Sequence, residues 1–177
     1  RLHPQGEAMF FRHLREEGVL APRYFFVNVI VNGQILGIMA MEEFLSPEFF
    51  EAKKVRGSVV VKFDDEALWE NAINFGEAWP FNRRRLLPVE PLFESSVMGD
   101  PGTAQQYEIA HGLLRGLIEG QLKLSDVFDV EKLAKYLAIT EIWGAKHGIA
   151  APDIKFLFNP LSQRLEPISA DARPGST

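Results

Sequence analysis

The sequence predicts an α+β protein in which a strand-rich first part is followed by a helical part and a closing hairpin. Three observations predict this class. Two runs of β-branched and aromatic residues flank Asn32-Gly33, the residue pair best suited to a type I′ hairpin turn. Apolar residues then recur at helical spacing through most of 103–146. A second pair of strand-like runs flanks Asn159-Pro160, close to the end of the chain.

The first part is predicted to contain a helix, a hairpin and a short second helix, over 6–17, 24–31 with 34–41, and 47–53. Gly18 follows the first apolar stripe and is suited to end the first helix, because helices often end at a left-handed glycine. Ser46 precedes Pro47 and Glu48, which is the usual order of an N-cap, a first-turn proline and an acidic residue. The short helix is therefore expected to begin at Pro47.

The later elements are a strand over 58–63, a helix over 64–75, a long connection over 76–102 with one strand near Leu92, helices over 103–119 and 129–146, and strands over 154–158 and 164–168. Thr103 is the predicted N-cap of the first long helix, with Gln106 completing a capping box. Asp129 is predicted to cap the second long helix, and Gly148 to end it.

The composition is that of an ordinary globular chain, with 177 residues, 46% hydrophobic and 24% charged. A net charge of −5 argues against broad binding to nucleic acid or to anionic membranes. The chain has no cysteine, which excludes disulfides and thiolate metal sites, and no apolar run reaches the roughly 20 residues of a membrane helix. The basic run Arg83-Arg84-Arg85 is interpreted as a solvated or acid-paired patch, and its alternative is a phosphate-binding patch.

The chain has no dinucleotide fingerprint, P-loop, zinc-protease motif or nucleophile elbow. The candidate site is a different group of residues, His147, Asp153 and Asp171. Asp153 precedes one strand of the last hairpin and Asp171 follows its partner, so the hairpin should return both to the same side. Two converging carboxylates suit a Mg²⁺ ion that also binds nucleotide phosphates. The alternative is that each residue simply occupies a surface turn, as aspartate often does.

Three stretches of the chain resemble the CotH (spore coat protein H-like) family of atypical kinases, and in particular a bacterial branch of it. They are PRYFFVNVIVNGQILGIMAMEEF over 22–44, RGSVVVKFDDEALW over 56–69 and IKFLFNPLSQRLEPISADA over 154–172. The ending from Leu165-Glu166-Pro167-Ile168 to Asp171 is the most specific part. The resemblance covers most of the chain and is weakest over 81–102.

The resemblance implies a kinase-like domain that transfers a phosphoryl group from ATP to a protein side chain with the help of Mg²⁺. About 1–45 would form the N-lobe-like part and about 46–177 the C-lobe-like part of one partial domain. Glu7 or a near neighbour would lie where kinases pair a glutamate with a lysine. Glu42 and Glu43 would lie at the hinge beside the nucleotide. Asp171 would match the metal-binding aspartate of kinases. A spore-coat-like or envelope protein would be the substrate, outside the cytoplasm.

The chain departs from the family pattern at two of the candidate residues. His147 stands where simpler members carry aspartate, and Asp153 stands where the family usually has asparagine. An imidazole can accept a hydroxyl proton or steady a phosphate, so His147 is a candidate catalytic residue beside Asp153 and Asp171. Among the lysines within the chain, Lys62 is the candidate for contacting phosphate. The alternative is that it simply lies on the outward face of an amphipathic strand.

The resemblance also implies a fragment that lacks the family's N-terminal strands and C-terminal end. The strand carrying the nucleotide-gripping lysine would precede Arg1, so little activity is expected of this chain alone. The main alternative function is a catalytically inactive binding or adhesion module at the cell surface. A weaker alternative is a metal-dependent hydrolase that uses His147 with the two aspartates.

Overall fold

Helices and antiparallel strands share the chain, and the predicted α+β class is confirmed. The computed structural model describes residues 5–55, 57–64, 66, 73, 87–150 and 153–175. Within these ranges the helices are α1 (Gln5–Glu16), α2 (Pro47–Ala52), α3 (Glu94–Met98), α4 (Pro101–Ile118), α5 (Leu124–Val127) and α6 (Val130–Ile142), with a 3₁₀ turn at Lys146–Ile149. The strands are β1 (Tyr24–Val31), β2 (Gln34–Glu42), β3 (Val60–Phe63), β4 (Val89–Pro91), β5 (Lys155–Asn159) and β6 (Arg164–Ile168).

The first hairpin forms as the sequence predicts. β1 pairs with β2 from Tyr24 opposite Glu42 to Val31 opposite Gln34. Asn32 and Gly33 both have positive φ angles, 50° and 79°, which is the combination that a type I′ turn requires. In the part of the chain that the structure describes, this sheet has only these two strands. Most of its large apolar side chains are consequently exposed: Phe25, Phe26, Ile30, Val31, Ile35, Leu36, Ile38, Met39 and Met41.

The last hairpin belongs to a four-stranded antiparallel sheet with the order β4-β3-β5-β6. β3 lies in its centre, with Lys62 opposite Glu90 on one side and opposite Lys155 on the other. The sequence pattern predicted β3 and the last hairpin separately, but it did not predict that they pair. This sheet carries the candidate site, because β5 begins just after Asp153 and β6 ends just before Asp171.

Both faces of the four-stranded sheet are buried. One face packs its apolar side chains against α4 and α6, through Val61, Phe156, Phe158 and Leu165 together with Ala110, Leu114 and Leu133. The other face packs against α2, through Val60, Leu157 and Ile168 together with Phe49 and Phe50. Burial of both faces holds the ends of β5 and β6 in fixed positions.

Helix α1 packs on α6 and on the segment that carries Asp171. Its buried face contributes Phe10, Phe11 and Leu14 to a cluster with Tyr136 and Ile139 of α6 and with Ala172. The segment after α1 is joined to the end of β6, since Ser169 N donates to the carbonyl oxygen of Leu20 at 2.9 Å. The segment that follows α1 therefore lies beside the chain that follows β6.

Helix α4 begins earlier than predicted. Its N-cap is Asp100 rather than Thr103, because the Asp100 carboxylate accepts the backbone N–H of Thr103 at 2.9 Å and Pro101 occupies the first turn. The Thr103 hydroxyl instead donates to the carbonyl oxygen of Val97 at 2.8 Å. None of the helices in the described ranges is sufficiently long and apolar to cross a membrane.

The prediction for the end of α6 was also wrong. Asp129 caps this helix as expected, but the helix ends at Ile142 instead of Lys146. Gly144 has a φ angle of 58° and its left-handed conformation turns the chain away, so Gly148 lies in a separate 3₁₀ turn. The short helices α3 and α5 were not predicted, and most of the helix predicted over 64–75 lies outside the described residues.

Candidate functional site

His147, Asp153 and Asp171 converge in the structure, and each presents a possible ligand atom. These three atoms all lie within 4.8 Å of one another. His147 Nε2 is 3.2 Å from Asp171 Oδ2 and 3.7 Å from Asp153 Oδ2. The structure thus brings together the three residues that the sequence singled out, and the roles assigned to them stay predictions.

The 3₁₀ turn holds His147 against the segment that carries Asp171. The buried Tyr136 hydroxyl donates to the carbonyl oxygen of Gly148 at 2.9 Å. Gly148 also lies directly on Ala172, since a β-carbon at Gly148 would be 3.2 Å from the Ala172 α-carbon. The absence of a side chain at position 148 therefore permits the close approach of His147 to Asp171.

The backbone around Asp171 is strained at two positions. Asp171 and Arg173 have φ angles of 40° and 45°, in the left-handed region that costs residues other than glycine on the order of 1 kcal/mol each. Between them Ala172 is buried in the cluster formed by α1 and α6. These alternating environments leave the side chains of Asp171 and Arg173 at the surface while Ala172 anchors the segment.

Arg173 was not predicted as part of the site. Its Nε donates to Asp171 Oδ1 and its Nη2 donates to Asp171 Oδ2, each at 3.0 Å. Partial burial alone would raise the pKa of Asp171, but hydrogen bonds and charge from Arg173, together with the charge of His147, hold it below its usual value. The Asp171 carboxylate therefore stays ionised to a lower pH than an isolated aspartate.

Further acidic groups approach the site from the first part of the chain. Desolvation, followed by the charges of Glu7 and Asp171, raises the pKa of Glu42 at the end of β2. Desolvation, followed by hydrogen bonding to Glu7, raises the pKa of Tyr24 to about 12. Glu7 in the first turn of α1 thus interacts with the same group of side chains as Asp171.

Glu43 and Lys62, the two other predicted cofactor-binding residues, pair with residues outside the His147, Asp153 and Asp171 cluster. Glu43 accepts hydrogen bonds from the Arg23 side chain, with Nη2 to Oε1 at 2.7 Å, and from the Arg23 backbone N–H at 2.8 Å. Lys62 Nζ lies 3.6 Å from Glu90 Oε2. Glu42, the neighbour of Glu43, is the residue of this pair whose charge interacts with Asp171. The proposed roles of Glu43 and Lys62 stay predictions.

Glu166, in the stretch 165–168 that resembles the family most specifically, has a structural role. Glu166 is buried, and its Oε2 accepts a hydrogen bond from Lys132 Nζ at 2.6 Å. Its other oxygen accepts a hydrogen bond from Asn159 Nδ2 at 2.8 Å. Glu166 therefore joins β6 to α6 and to the hairpin turn, and this places the site residues without adding a ligand to them.

The donor atoms at the site fit a divalent cation that is also bound to phosphate. Mg²⁺ prefers one or two carboxylates and completes its shell with water and phosphate oxygens. Asp153 and Asp171 supply the carboxylates, and the neighbouring His147 supplies a nitrogen, a donor that suits transition-metal ions better than Mg²⁺. The segment between His147 and Asp153 includes residues 151–152, which lie outside the described ranges.

A scan against protein-family models and a search of curated proteins both found no match to the chain. The resemblance to the CotH family therefore rests on the three sequence stretches alone and stays a prediction.

Proposed function

We propose that the chain belongs to a Mg²⁺-dependent, kinase-like phosphotransferase that uses ATP and modifies a protein side chain. The observation that carries this proposal is the convergence of His147 with the carboxylates of Asp153 and Asp171. Phosphoryl transfer depends chiefly on positioning and on neutralising charge, so a site of this kind needs few specialised groups. The α+β architecture is compatible with the proposal.

Asp153 and Asp171 are the residues that would hold the ion. A bound Mg²⁺ would neutralise charge on the phosphate oxygens. Asp171 is suited to this task because its pKa is lowered and it stays a carboxylate at neutral pH. The anchoring of Ala172 between Asp171 and Arg173 keeps that carboxylate in one place.

His147 would orient the acceptor hydroxyl and take up its proton. Its Nε2 lies 3.2 Å from Asp171 Oδ2 and 3.7 Å from Asp153 Oδ2, so the imidazole stands beside the two carboxylates that would hold the ion. The expected contribution is smaller than that of the carboxylates, since little proton transfer is needed in a loose transition state. Glu7 and Glu42 lie close enough to add negative electrostatic potential at the site.

The test is binding of ATP with and without Mg²⁺. Asp171→Asn should weaken Mg²⁺-ATP binding by at least about tenfold, and His147→Ala by less. Glu108→Gln is the matched control, because it removes an exposed carboxylate on α4 away from the site. Binding that needs no divalent ion and is unaffected by Asp171→Asn would contradict the proposal.

One observation favours a second candidate function, a catalytically inactive binding module. The β1–β2 hairpin exposes apolar side chains along both strands, and contiguous apolar surface of this kind commonly marks an interaction site. Under this alternative the chain would bind a protein through the hairpin, and Asp171→Asn would leave that binding unchanged. The nucleotide experiment separates the two functions, since only the first requires the carboxylates.

A further inference from the structure

Arg173 forms hydrogen bonds with both Asp171 carboxylate oxygens, which are the atoms that a bound cation would contact. Its Nε and Nη2 donate one hydrogen bond to each carboxylate oxygen, and Asp171 Oδ2 is also the atom that lies 3.2 Å from His147 Nε2. The pair is accessible to solvent, with 54% of the Arg173 and 51% of the Asp171 side chain exposed. Ion pairs this exposed are weak, so another cation can replace the guanidinium.

The backbone that carries Arg173 is held on both sides of the residue. Ala172 before it is buried against Gly148, and Gly175 after it donates its backbone N–H to the carbonyl oxygen of Trp143 at 3.0 Å. Arg173 therefore lies on a short segment that is fixed on both sides. Asp153 and Glu7 also act on its charge, so the side chain remains among acidic groups whichever one it pairs with.

We propose that Arg173 exchanges partners, pairing with Asp171 in the empty site and with the phosphates of a nucleoside polyphosphate when a divalent cation is bound to Asp171. This inference rests on the proposed function and adds to it a specificity-determining residue. The planar guanidinium matches two phosphate oxygens as well as it matches two carboxylate oxygens. A cation at Asp171 repels the guanidinium, and the phosphates bound to that cation attract it.

The exchange has a consequence that separates it from a purely structural role. Without Arg173, a divalent cation alone no longer competes with the guanidinium for the two Asp171 oxygens and should bind more tightly. The cation-bound nucleotide, by contrast, loses a phosphate partner and should bind more weakly. One substitution should thus shift two affinities in opposite directions.

The experiment compares the wild-type chain with Arg173→Gln, using Mn²⁺ alone and Mn²⁺ with a non-hydrolysable ATP analogue. Free Mn²⁺ is measured by electron paramagnetic resonance, and nucleotide binding by calorimetry. Arg173→Gln should tighten Mn²⁺ binding by roughly 3- to 10-fold and weaken nucleotide binding by about tenfold. Arg173→Lys keeps the charge without the fork, so its nucleotide affinity should be intermediate and its Mn²⁺ affinity close to that of the wild type.

Arg12→Gln is the matched control, because Arg12 makes a comparable exposed pair with Glu16 on α1, and both affinities should stay unchanged. If the wild type binds both probes but Arg173→Gln shifts the affinities in the same direction, or shifts fewer than two, the exchange is overturned and the proposed function stands. If the wild type binds neither probe, the proposed function itself is overturned, and the exchange with it. Circular dichroism confirms that each variant is folded.

Discussion

Gly148 lies so close to Ala172 that a β-carbon on the glycine would be 3.2 Å from the α-carbon and 3.3 Å from the β-carbon of the alanine. The same β-carbon would be 3.3 Å from the Tyr136 hydroxyl oxygen. His147 precedes the glycine and Asp171 precedes the alanine. The contact between two small residues therefore sets the distance between two candidate site residues.

Gly148→Ala should destabilise the protein and separate His147 from Asp171. An added methyl group in a packed interior typically costs about 1–3 kcal/mol, and here neither backbone can withdraw easily. Chemical denaturation measures the free energy of unfolding, and Mn²⁺ titration measures the affinity of the candidate site for a divalent cation. We expect lower values for both stability and Mn²⁺ affinity.

Gly112→Ala is the control for this substitution. Gly112 lies in α4, and nothing would lie within 4 Å of an added β-carbon. Alanine favours a helix over glycine by roughly 0.8–1 kcal/mol, so this variant should be more stable than the wild type. Equal stability of Gly148→Ala and the wild type would show that the 3₁₀ turn yields, and that the contact does not fix the site.

Glu42→Gln should stabilise the protein at neutral pH. The pKa of Glu42 is raised in the folded state by desolvation and by the charges of Glu7 and Asp171, so ionisation of this carboxyl disfavours folding. The penalty is absent below the unfolded pKa of about 4.3 and grows as pH rises through the higher folded value. Unfolding measured from acid to neutral pH should show the advantage of the variant only towards neutral pH.

Asp171→Asn should show the opposite dependence on pH. The pKa of Asp171 is lowered, so its ionised form stabilises the folded state above the unfolded pKa of about 3.9, and this contribution is lost as pH falls through the folded value. The variant should therefore be less stable than the wild type at neutral pH and similar to it in strong acid. A difference that is the same at every pH would assign the effect to packing instead of charge.

Lys132→Met should destabilise the protein by about 2–3 kcal/mol, because among the described residues it leaves the buried Glu166 charge only the Asn159 amide as a side-chain donor. Thermal or chemical unfolding measures the loss. Lys135→Met is the control on the same helix, since Lys135 pairs with Glu131 at the surface and its removal should matter little. Adding Glu166→Gln to Lys132→Met should recover part of the stability, and a failure to do so would contradict the buried-charge explanation.

Local signals in the sequence were sufficient for the first hairpin and for two of the helix caps. Asn32-Gly33, Ser46 and Asp129 act through their own backbone and a few neighbours, so their effects can be read without knowing the fold. The Asp100 cap was missed because Thr103 offered a competing pattern three residues later. The choice between them depends on Val97, which accepts the Thr103 hydroxyl in the folded chain.

Long-range relationships were not accessible from the sequence. β3 pairs with β5 across a long stretch of chain, and nothing in the local pattern of either strand specifies the partner. The proximity of Asp153 and Asp171 could be predicted, because a tight hairpin connects them. Arg173 was missed because its position depends on two left-handed residues and on the burial of Ala172, which are properties of the folded chain.

The exposed hairpin should cause the chain to self-associate, and Ile38→Lys should reduce this association. Ile38 is 74% exposed on β2, among neighbours that are also apolar, and β1 and β2 form a two-stranded sheet within the described residues. Such strands present both apolar side chains and unpaired backbone groups, and natural proteins commonly place lysine there to prevent edge-to-edge pairing. Sedimentation velocity over a range of concentrations measures the average mass against the 20.0 kDa monomer.

Leu161→Lys is the control, because Leu161 is 95% exposed but lies in the turn between β5 and β6, away from the hairpin. Both variants add one positive charge and remove one exposed apolar side chain, so a general effect on solubility would appear in both. The hairpin is responsible only if Ile38→Lys lowers the average mass and Leu161→Lys does not. Mn²⁺ affinity should be the same in both variants, since neither residue contacts the acidic site. A wild-type chain that remains monomeric at every concentration would show that the apolar surface of the hairpin does not drive association.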